Sequence, residues 1–187
     1  MELILIKPKR TSKCKICRAE YVKRSMSHKV CSASCAIELN ANDKKLKEAK
    51  IDKARKEALK SLSDLKQEAQ TVFNAFIRER DKLSGDTCIS SGRPLDWSGN
   101  QVDAGHYRSR GSADHLRFNE HNVHAQSKHD NLYKSGNASD YRIGLIKRIG
   151  LPFVEALEAD QKVVKWTREM LLEIKMTYRA KLREIQK

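Results

Sequence analysis

Five of the six histidines, His106, His115, His121, His124 and His129, fall inside one 24-residue window that also holds Asn122, with Asp103, Asp130 and Asn131 just beyond its ends. Imidazoles, carboxylates and amide oxygens gathered this closely suit proton transfer and the binding of a hard divalent cation. The run from Asn119 to Gln126 is almost entirely polar, so the segment reads as an active site and not as packed core. A solvated, histidine-rich loop is the plain alternative.

Charge narrows the partner. The chain of 187 residues carries a formal +14 with a pI near 9.7, a balance that points to a polyanion, most often nucleic acid. Residues 1–38 hold nine Lys/Arg against three acids, whereas residues 84–137, which contain the histidines, hold six of each. A neutral, metal-binding segment flanked by basic ones fits phosphate contacts on the flanks. Lys23, Arg24 and Lys29 are candidate DNA-binding residues in the first flank. A solubilising lysine-rich surface is the ordinary alternative. No apolar stretch approaches the length of a membrane span, and the opening residues are too few for an export signal, so a membrane is not expected and a cytoplasmic setting is.

Four of the five cysteines form two close pairs, Cys14-Lys-Ile-Cys17 and Cys31-Ser-Ala-Ser-Cys35, thirteen residues apart. Two thiolate pairs joined by a short hairpin give the tetrahedral all-sulfur geometry that zinc prefers, and four thiolates leave no open position, so the expected zinc is structural. Two disulfides are the alternative, disfavoured in a reducing compartment. His28 is an alternative ligand. A module of about 38 residues buries too little apolar surface to fold without the metal.

After Cys35, Ile51, Ala54, Ala58, Leu62, Leu65, Ala69, Val72 and Phe76 recur in steps of three and four, predicting one long helix over about 39–83. It would be either a spacer or a dimerisation arm, leaving a homodimer open. Farther on, residues 101–107 read as a strand ending in His106, residues 108–113 as a loop, and the stretch through Asn131 as a short helix. Asp140 is placed to cap a helix over 141–149, Pro152 starts a short one to Leu157, and Asp160 opens a final helix to about Glu184. That helix packs either on the long helix or on a second subunit.

Strand, loop and helix bearing His106, Asn122 and Asn131 resemble the ββα-metal (HNH) endonuclease finger. The resemblance implies that His106 is the general base, that Asn122 orients it and that Asn131 binds the metal. More narrowly, the strings Asp103-Ala-Gly-His-Tyr, Leu116-Arg-Phe, Asn122-Val-His-Ala-Gln and Ser135-Gly-Asn, behind a four-cysteine module and a long charged helix, resemble the NinG (Rap) recombination proteins of lambdoid phages. That family implies a structure-specific endonuclease acting on branched intermediates such as D-loops and Holliday junctions inside the infected host cell, beside host or phage recombination proteins.

Two departures from the HNH pattern stand out. A second zinc often braces such fingers through two C-x-x-C pairs, but the matching positions here are Cys88, Ser91, Ser127 and Asp130, so Cys88 is expected to be a free thiol and apolar packing to brace the finger. The residue before the base is Gly105, leaving Asp103 as the candidate first metal ligand, with His124 and His129 as alternatives. Arg108, Arg110 and Arg117 are candidate phosphate clamps. His115 and His121 are expected to face solvent or DNA, and Trp97 and Tyr107 to pack in the finger.

The expected protein is therefore mainly α with small α+β parts: a four-cysteine zinc module (1–38), a long helix (39–83), a nuclease finger (84–137) and a helical tail (138–187). Asp103 and Asn131 would hold Mg2+ or Mn2+, His106 would activate water, and Asn122 would hold the imidazole. The competing function is a non-catalytic zinc-containing adaptor that binds DNA and recruits recombination proteins; a transcription regulator fits less well, because no recognition helix is evident.

Overall fold

The structure, a computed structural model, describes residues 10–133 and 136–187. Lys7, Lys9 and Ser135 lie outside the described residues. The chain divides into two compact units, Met1–Lys60 and Ser61–Lys187.

In the first unit, strands β1 (Thr11–Lys13) and β2 (Glu20–Val22) pair antiparallel, Thr11 opposite Val22. The turn between them is closed by Cys14 N–H to Ala19 C=O and by Arg18 N–H to Cys14 C=O, with Arg18 in the left-handed region at φ 65°. Helix α1 (Ala33–Leu59) begins at Ser32, whose hydroxyl accepts the Cys35 N–H. That cap places Cys35 in the first helical turn, close to Cys31. Cys14, Val30 and Cys35 form the small core, with Ile16, Tyr21, Ala36 and Leu39 against it. From Asn40 to Lys56 every side chain of α1 is exposed.

The single helix expected over 39–83 is two helices. At Lys60 ψ swings to 136°, and Ser61 starts α2 (Leu62–Leu83) with a capping box. The Ser61 hydroxyl accepts the Asp64 N–H and the Asp64 carboxylate accepts the Ser61 N–H, both at 3.1 Å. This reciprocal pairing satisfies two otherwise orphaned donors, which is why the chain restarts there. The stripe divides accordingly: Ile51, Ala54 and Ala58 are exposed on α1, whereas Leu65, Ala69 and Phe76 are buried on α2.

In the second unit, β3 (Val102–His106) and β4 (Val123–Ser127) form an antiparallel hairpin, Val102 opposite Ser127 and His106 opposite Val123. Helix α2 lays Leu65, Phe73 and Ile77 against Ala104, Val123 and Phe118. The last helix, α5 (Arg168–Ile185), packs along α2 of the same chain, with Tyr178 edge-on to Phe73 at 4.7 Å and Lys175 on Glu68 at 2.6 Å. It starts seven residues later than expected, because the Thr167 hydroxyl, not Asp160, caps it; Asp160 instead accepts the Lys162 N–H. Helices α3 (Ala138–Ile149) and α4 (Leu151–Ala159) make a second core of Tyr141, Leu145, Val154 and Leu157 with Ile89 and Leu116. Gly144 allows that approach: a Cβ there would sit 1.8 Å from the Ile89 carbonyl oxygen.

The polar run reads differently in three dimensions. Asn122, Val123, His124, Ala125 and Gln126 are all buried, as β4 and the residue before it. Their polar groups survive burial because partners meet them. Asp81 of α2, 1% exposed, accepts the Ala125 N–H at 2.6 Å and the Arg80 Nε–H at 2.7 Å, with Arg148 of α3 at 3.7 Å. The Tyr141 hydroxyl accepts the His124 N–H and donates to the Gly105 carbonyl, relaying between two residues that face each other across the hairpin. His124 Nδ1 accepts from Arg80 at 3.1 Å and Arg148 at 3.4 Å, and its Nε2 donates to the His121 carbonyl. Guanidiniums only donate, so this imidazole must be neutral.

Burial, with the Arg80 and Arg148 charges beside it, pulls His124 from the ordinary imidazole range down to about 3. Above pH ~6.5 the ring is neutral folded and unfolded alike and the shift contributes nothing. As pH falls from there towards 3, the unfolded chain takes a proton that the folded chain refuses, and stability is lost. Denaturant melts should show His124→Gln losing on the order of 1–2 kcal/mol less than the parent between pH 7 and pH 5. Equal acid slopes in the two proteins would show that His124 does not resist protonation.

Candidate active site and cysteine cluster

Along one side of the hairpin lies a cavity of about 390 Å³ lined by Asp103, Ala104 and His106 of β3, Ser109 and Arg110, Asn131 and Gly136, and Asn74 and Arg78 of α2. Asn131 belongs to a single π-helical turn, His129–Tyr133, in place of the regular helix expected. Its Nδ2 donates to the Asp103 carboxylate at 2.9 Å, so the two candidate metal ligands meet. The alternatives do not reach the cavity. His124 is committed to the two arginines on another face, and His129, 69% exposed, lies beside Tyr133 and Asp130.

His106 is set for base chemistry by its neighbours. Its Nε2 lies 3.1 Å from the Arg117 carbonyl, an acceptor, so Nε2 carries the proton and the Nδ1 lone pair is left for another partner. Burial, with Arg110 and Arg117 nearby, lowers the imidazole to about 4, which keeps it neutral at physiological pH. Asn122 does not touch the ring as expected. Its Oδ1 accepts the Arg108 N–H at 2.8 Å, and its Nδ2 donates to the Arg108 and Leu116 carbonyls. It therefore shapes the loop whose next carbonyl, Arg117, holds His106.

The expected arginine clamp also changes. Arg108 turns away to donate to the Leu157 and Glu158 carbonyls, and Arg117 is tied to Asp114 at 2.5 Å and to Gln70. Of the three, only Arg110 lines the cavity. Arg78, which no motif in the sequence marks, lines it from α2, four residues after Asn74 and thus on the same helix face. Neither Arg78 nor Arg110 has a hydrogen-bond or ion-pair partner among the described residues. The remaining histidines divide: His115 is largely buried against the Asp160 carbonyl, contrary to expectation, while His121 is exposed and stacks on Phe153. Tyr107 packs on Tyr141 and donates to Glu158.

Three of the four residues at the positions of a second zinc do converge, as a hydrogen-bonded knot. Cys88 Sγ donates to the buried Asp130 carboxylate at 3.4 Å and accepts the Ser127 N–H at 3.3 Å, while the Ser127 hydroxyl donates to Asp130 at 2.8 Å. One carboxylate and one thiol, already mutually satisfied, tie the residue 88 turn to the end of β4, beside the expected apolar packing of Ile89, Ala104 and Val123. Ser91 is exposed and outside the knot.

In the first unit the sulfurs of Cys14, Cys17, Cys31 and Cys35 all lie within 4.8 Å of one another, and the four cysteines could hold a metal such as zinc. Sulfurs ~2.3 Å from a shared tetrahedral ion would stand slightly under 4 Å apart, close to the 3.4 Å of Cys17–Cys31 and the 3.8 Å of Cys31–Cys35. The neighbouring Cys17 sulfur, with burial, pushes the Cys31 thiol well up, whereas at Cys14 the effect of burial is outweighed by backbone hydrogen bonds that pull the thiol down to about 6. His28 is not in the cluster; its Nδ1 accepts the Arg24 N–H and its ring packs edge-on to Tyr21. The exposed Arg24 and Lys29 and the half-exposed Lys23 have no acidic partner among the described residues.

A cysteine-cluster module followed by a helix-backed hairpin bearing a histidine, carboxylate and amide cavity defines the class of protein. Residues 6–187 match the family model described as Bacteriophage Lambda NinG protein, and the chain belongs to that family. It is 45% identical over 134 residues to "Protein ninG" of Salmonella phage P22 and 44% identical to that of Escherichia phage lambda, in each case across 72% of this chain. The matched segment spans 64% and 63% of those two relatives' lengths. No solved structure matches the chain. No helix among the described residues is long and apolar enough to cross a membrane.

Metal analysis of the purified protein should find one tightly bound zinc per chain, released on mercurial titration of Cys14, Cys17, Cys31 and Cys35. Cys88 should react with thiol reagents only after unfolding. Two stoichiometric zincs would mean that the Cys88–Ser127–Asp130 knot opens to bind metal.

Proposed function

We propose that this protein is a metal-dependent, structure-specific DNA endonuclease of the HNH-like type, cutting branched recombination intermediates such as D-loops and Holliday junctions. One observation carries the reading: a neutral His106, its Nε2 on the Arg117 carbonyl, lines one cavity with the Asp103–Asn131 pair and with two guanidiniums that have no hydrogen-bond or ion-pair partner among the described residues. The donor set suits a hard cation: Mg2+ takes oxygen ligands, usually one or two carboxylates with water and phosphate completing the shell, and Asp103 offers the carboxylate while the Asn131 amide offers a further oxygen. Asp103 and Asn131 would hold that ion, which when bound supplies neutralisation of the charge that develops on the phosphate.

The chain's own residues account for the rest. His106 takes the proton of the attacking water on Nδ1, while the Arg117 carbonyl keeps the ring oriented through Nε2. Asn122 holds the loop that presents that carbonyl. Arg78 and Arg110 bind the nonbridging oxygens of the scissile phosphate. Lys23, Arg24 and Lys29 of the cysteine module hold flanking DNA, and a zinc held by the four thiolates keeps that module folded. The named relatives are phage proteins, so the reading places this one in the cytoplasm of an infected bacterial cell beside other recombination proteins. The unpartnered cations of the cysteine module also fit a second reading, a non-catalytic adaptor that binds DNA and recruits those proteins.

His106→Ala should cut cleavage of a branched DNA in Mg2+ or Mn2+ by roughly 10²–10⁴-fold while leaving its affinity within about twofold. Full cleavage by this variant removes the active-site assignment; no cleavage by the parent under any divalent cation favours the adaptor. Separately, Lys23→Ala/Arg24→Ala/Lys29→Ala should flatten the slope of log K against log salt by up to about 3, roughly 0.9 for each phosphate that is no longer neutralised. An unchanged slope would take the cysteine module off the DNA.

A further inference from the structure

Arg78 walls more than the His106 cavity. That side chain also lines a second cavity of about 230 Å³, whose other walls are Glu79 and Lys82 of α2, the turn carrying Asp96 and Trp97, and Val102 at the start of β3. Trp97 was expected in the finger's core. Instead it belongs to neither hydrophobic cluster of this unit, is only partly buried, and its indole N–H has no partner among the described residues. The other tryptophan shows the contrast: Trp166 donates to Asp114 at 2.8 Å and packs edge-on to Phe118. A partly buried aromatic ring lining a cleft, with two cations one helical turn apart beside it, suits a base and its phosphates.

We propose that this second cavity binds one unpaired nucleotide of the cleaved strand, next to the scissile phosphate. Arg78 bridges the two cavities on the phosphate between them, Lys82 takes the next phosphate, and Trp97 stacks the base. The carboxylates give the seat a direction. Asp96 is committed to Ser98, at 2.9 Å from its N–H and 2.6 Å from its hydroxyl, whereas Glu79 accepts no hydrogen bond among the described residues. A carboxylate repels phosphate but accepts from an exocyclic amino group, so the base edge faces Glu79. Cytosine and adenine offer such a group where thymine offers a carbonyl. A base inside a duplex has both faces stacked and its pairing edge occupied, so only a nucleotide at a branch, fork or nick fits. The seat thereby supplies a physical reason for preferring branched DNA; in calling the strand cleaved it rests on the nuclease reading.

The test measures binding in EDTA. A fork with unpaired cytosine arms is compared with a blunt duplex of equal length by anisotropy. Trp97→Leu should weaken fork binding roughly 5- to 100-fold and leave blunt-duplex binding unchanged, whereas Trp97→Phe, which can still stack, keeps most of the fork affinity. In Trp166→Phe protein, where Trp97 is the sole fluorophore of its kind, the fork should quench emission and the blunt duplex should not; this readout decides the matter should Trp97→Leu fail to fold. Thymine arms should bind less tightly than cytosine arms in the parent and equally in Glu79→Gln. Equal loss on both DNAs, or no quenching by the fork, overturns the proposal. The two readings fail separately: if His106→Ala cleaves at full rate while Trp97→Leu still loses the fork, the nuclease assignment falls and the seat stands. If His106→Ala is inert while Trp97→Leu binds the fork as the parent does, the seat falls and the nuclease assignment stands.

Discussion

The second unit depends on one buried carboxylate. Asp81, in the last turn of α2, accepts the backbone N–H of Ala125 on the edge of β4 and is held between Arg80 of its own helix and Arg148 of α3. A two-stranded hairpin is marginal by itself, and an unpaired N–H on its covered edge would cost about 1–3 kcal/mol. Asp81 meets that donor, and the Ile89 N–H meets the Ala125 carbonyl, so β4 can be buried without a third strand. A lone carboxylate in this position would be untenable; two guanidiniums make it tolerable, and breaking such an arrangement from one side typically costs about 3–5 kcal/mol. The same charges keep His124 neutral, and the Tyr141 hydroxyl links α3 to the hairpin one residue from Ala125. The polar side chains that look like chemistry in the sequence are, in large part, the means by which a very short sheet is held.

This division explains what the sequence discloses and what it conceals. The cysteine pairs are legible because four thiols at that spacing have few other uses, and His106, Asp103 and Asn131 because their chemical types suit one site. The capping box at Ser61 is legible too, since Ser-Leu-Ser-Asp is a start signal inside what periodicity alone treats as one helix. Burial of β4 is not legible. Asn122, His124 and Gln126 are polar by type, and whether each is buried depends on partners 3 to 44 residues away, the Leu116 carbonyl for Asn122 and Arg80 for His124 among them. The brace at Cys88, Ser127 and Asp130 is visible as a failed zinc site but not as a hydrogen-bonded knot. Residue type says that a tetrathiolate is impossible there; only geometry says what takes its place.

Arginine illustrates the same limit. A net charge of +14 announces a polyanionic partner without saying which side chains meet it. Arg108 and Arg117 flank His106 in sequence, yet both are consumed by internal acceptors, and Arg117 matters through its backbone carbonyl. Arg78 is 28 positions before His106 and lies within a helix that reads as a spacer, yet it reaches the cavity because α2 packs across the hairpin. Internal partners mark a structural guanidinium; their absence at the wall of a polar cavity marks one available to a ligand.

Helix α2 therefore has two faces with separate tasks. Leu65, Phe73 and Ile77 press on the hairpin and, with Phe76, on α5, fixing the distance between helix and strand. Asn74 and Arg78, offset from that stripe by a fraction of a turn, wall the cavity that the packing creates, and Lys82 continues the same line one turn farther. Because the site is built between a helix and the hairpin it supports, the hairpin alone cannot carry it: the hairpin segment 84–137 would keep His106 and Asn131 but lose Asp81, Arg80 and Arg78 together, hence its edge partner, its counter-ion and one wall of its cavity. Of what the sequence presents as an arm joined to a separate finger, the part from Ser61 onward is, in packing and in electrostatics, one structural unit with the finger.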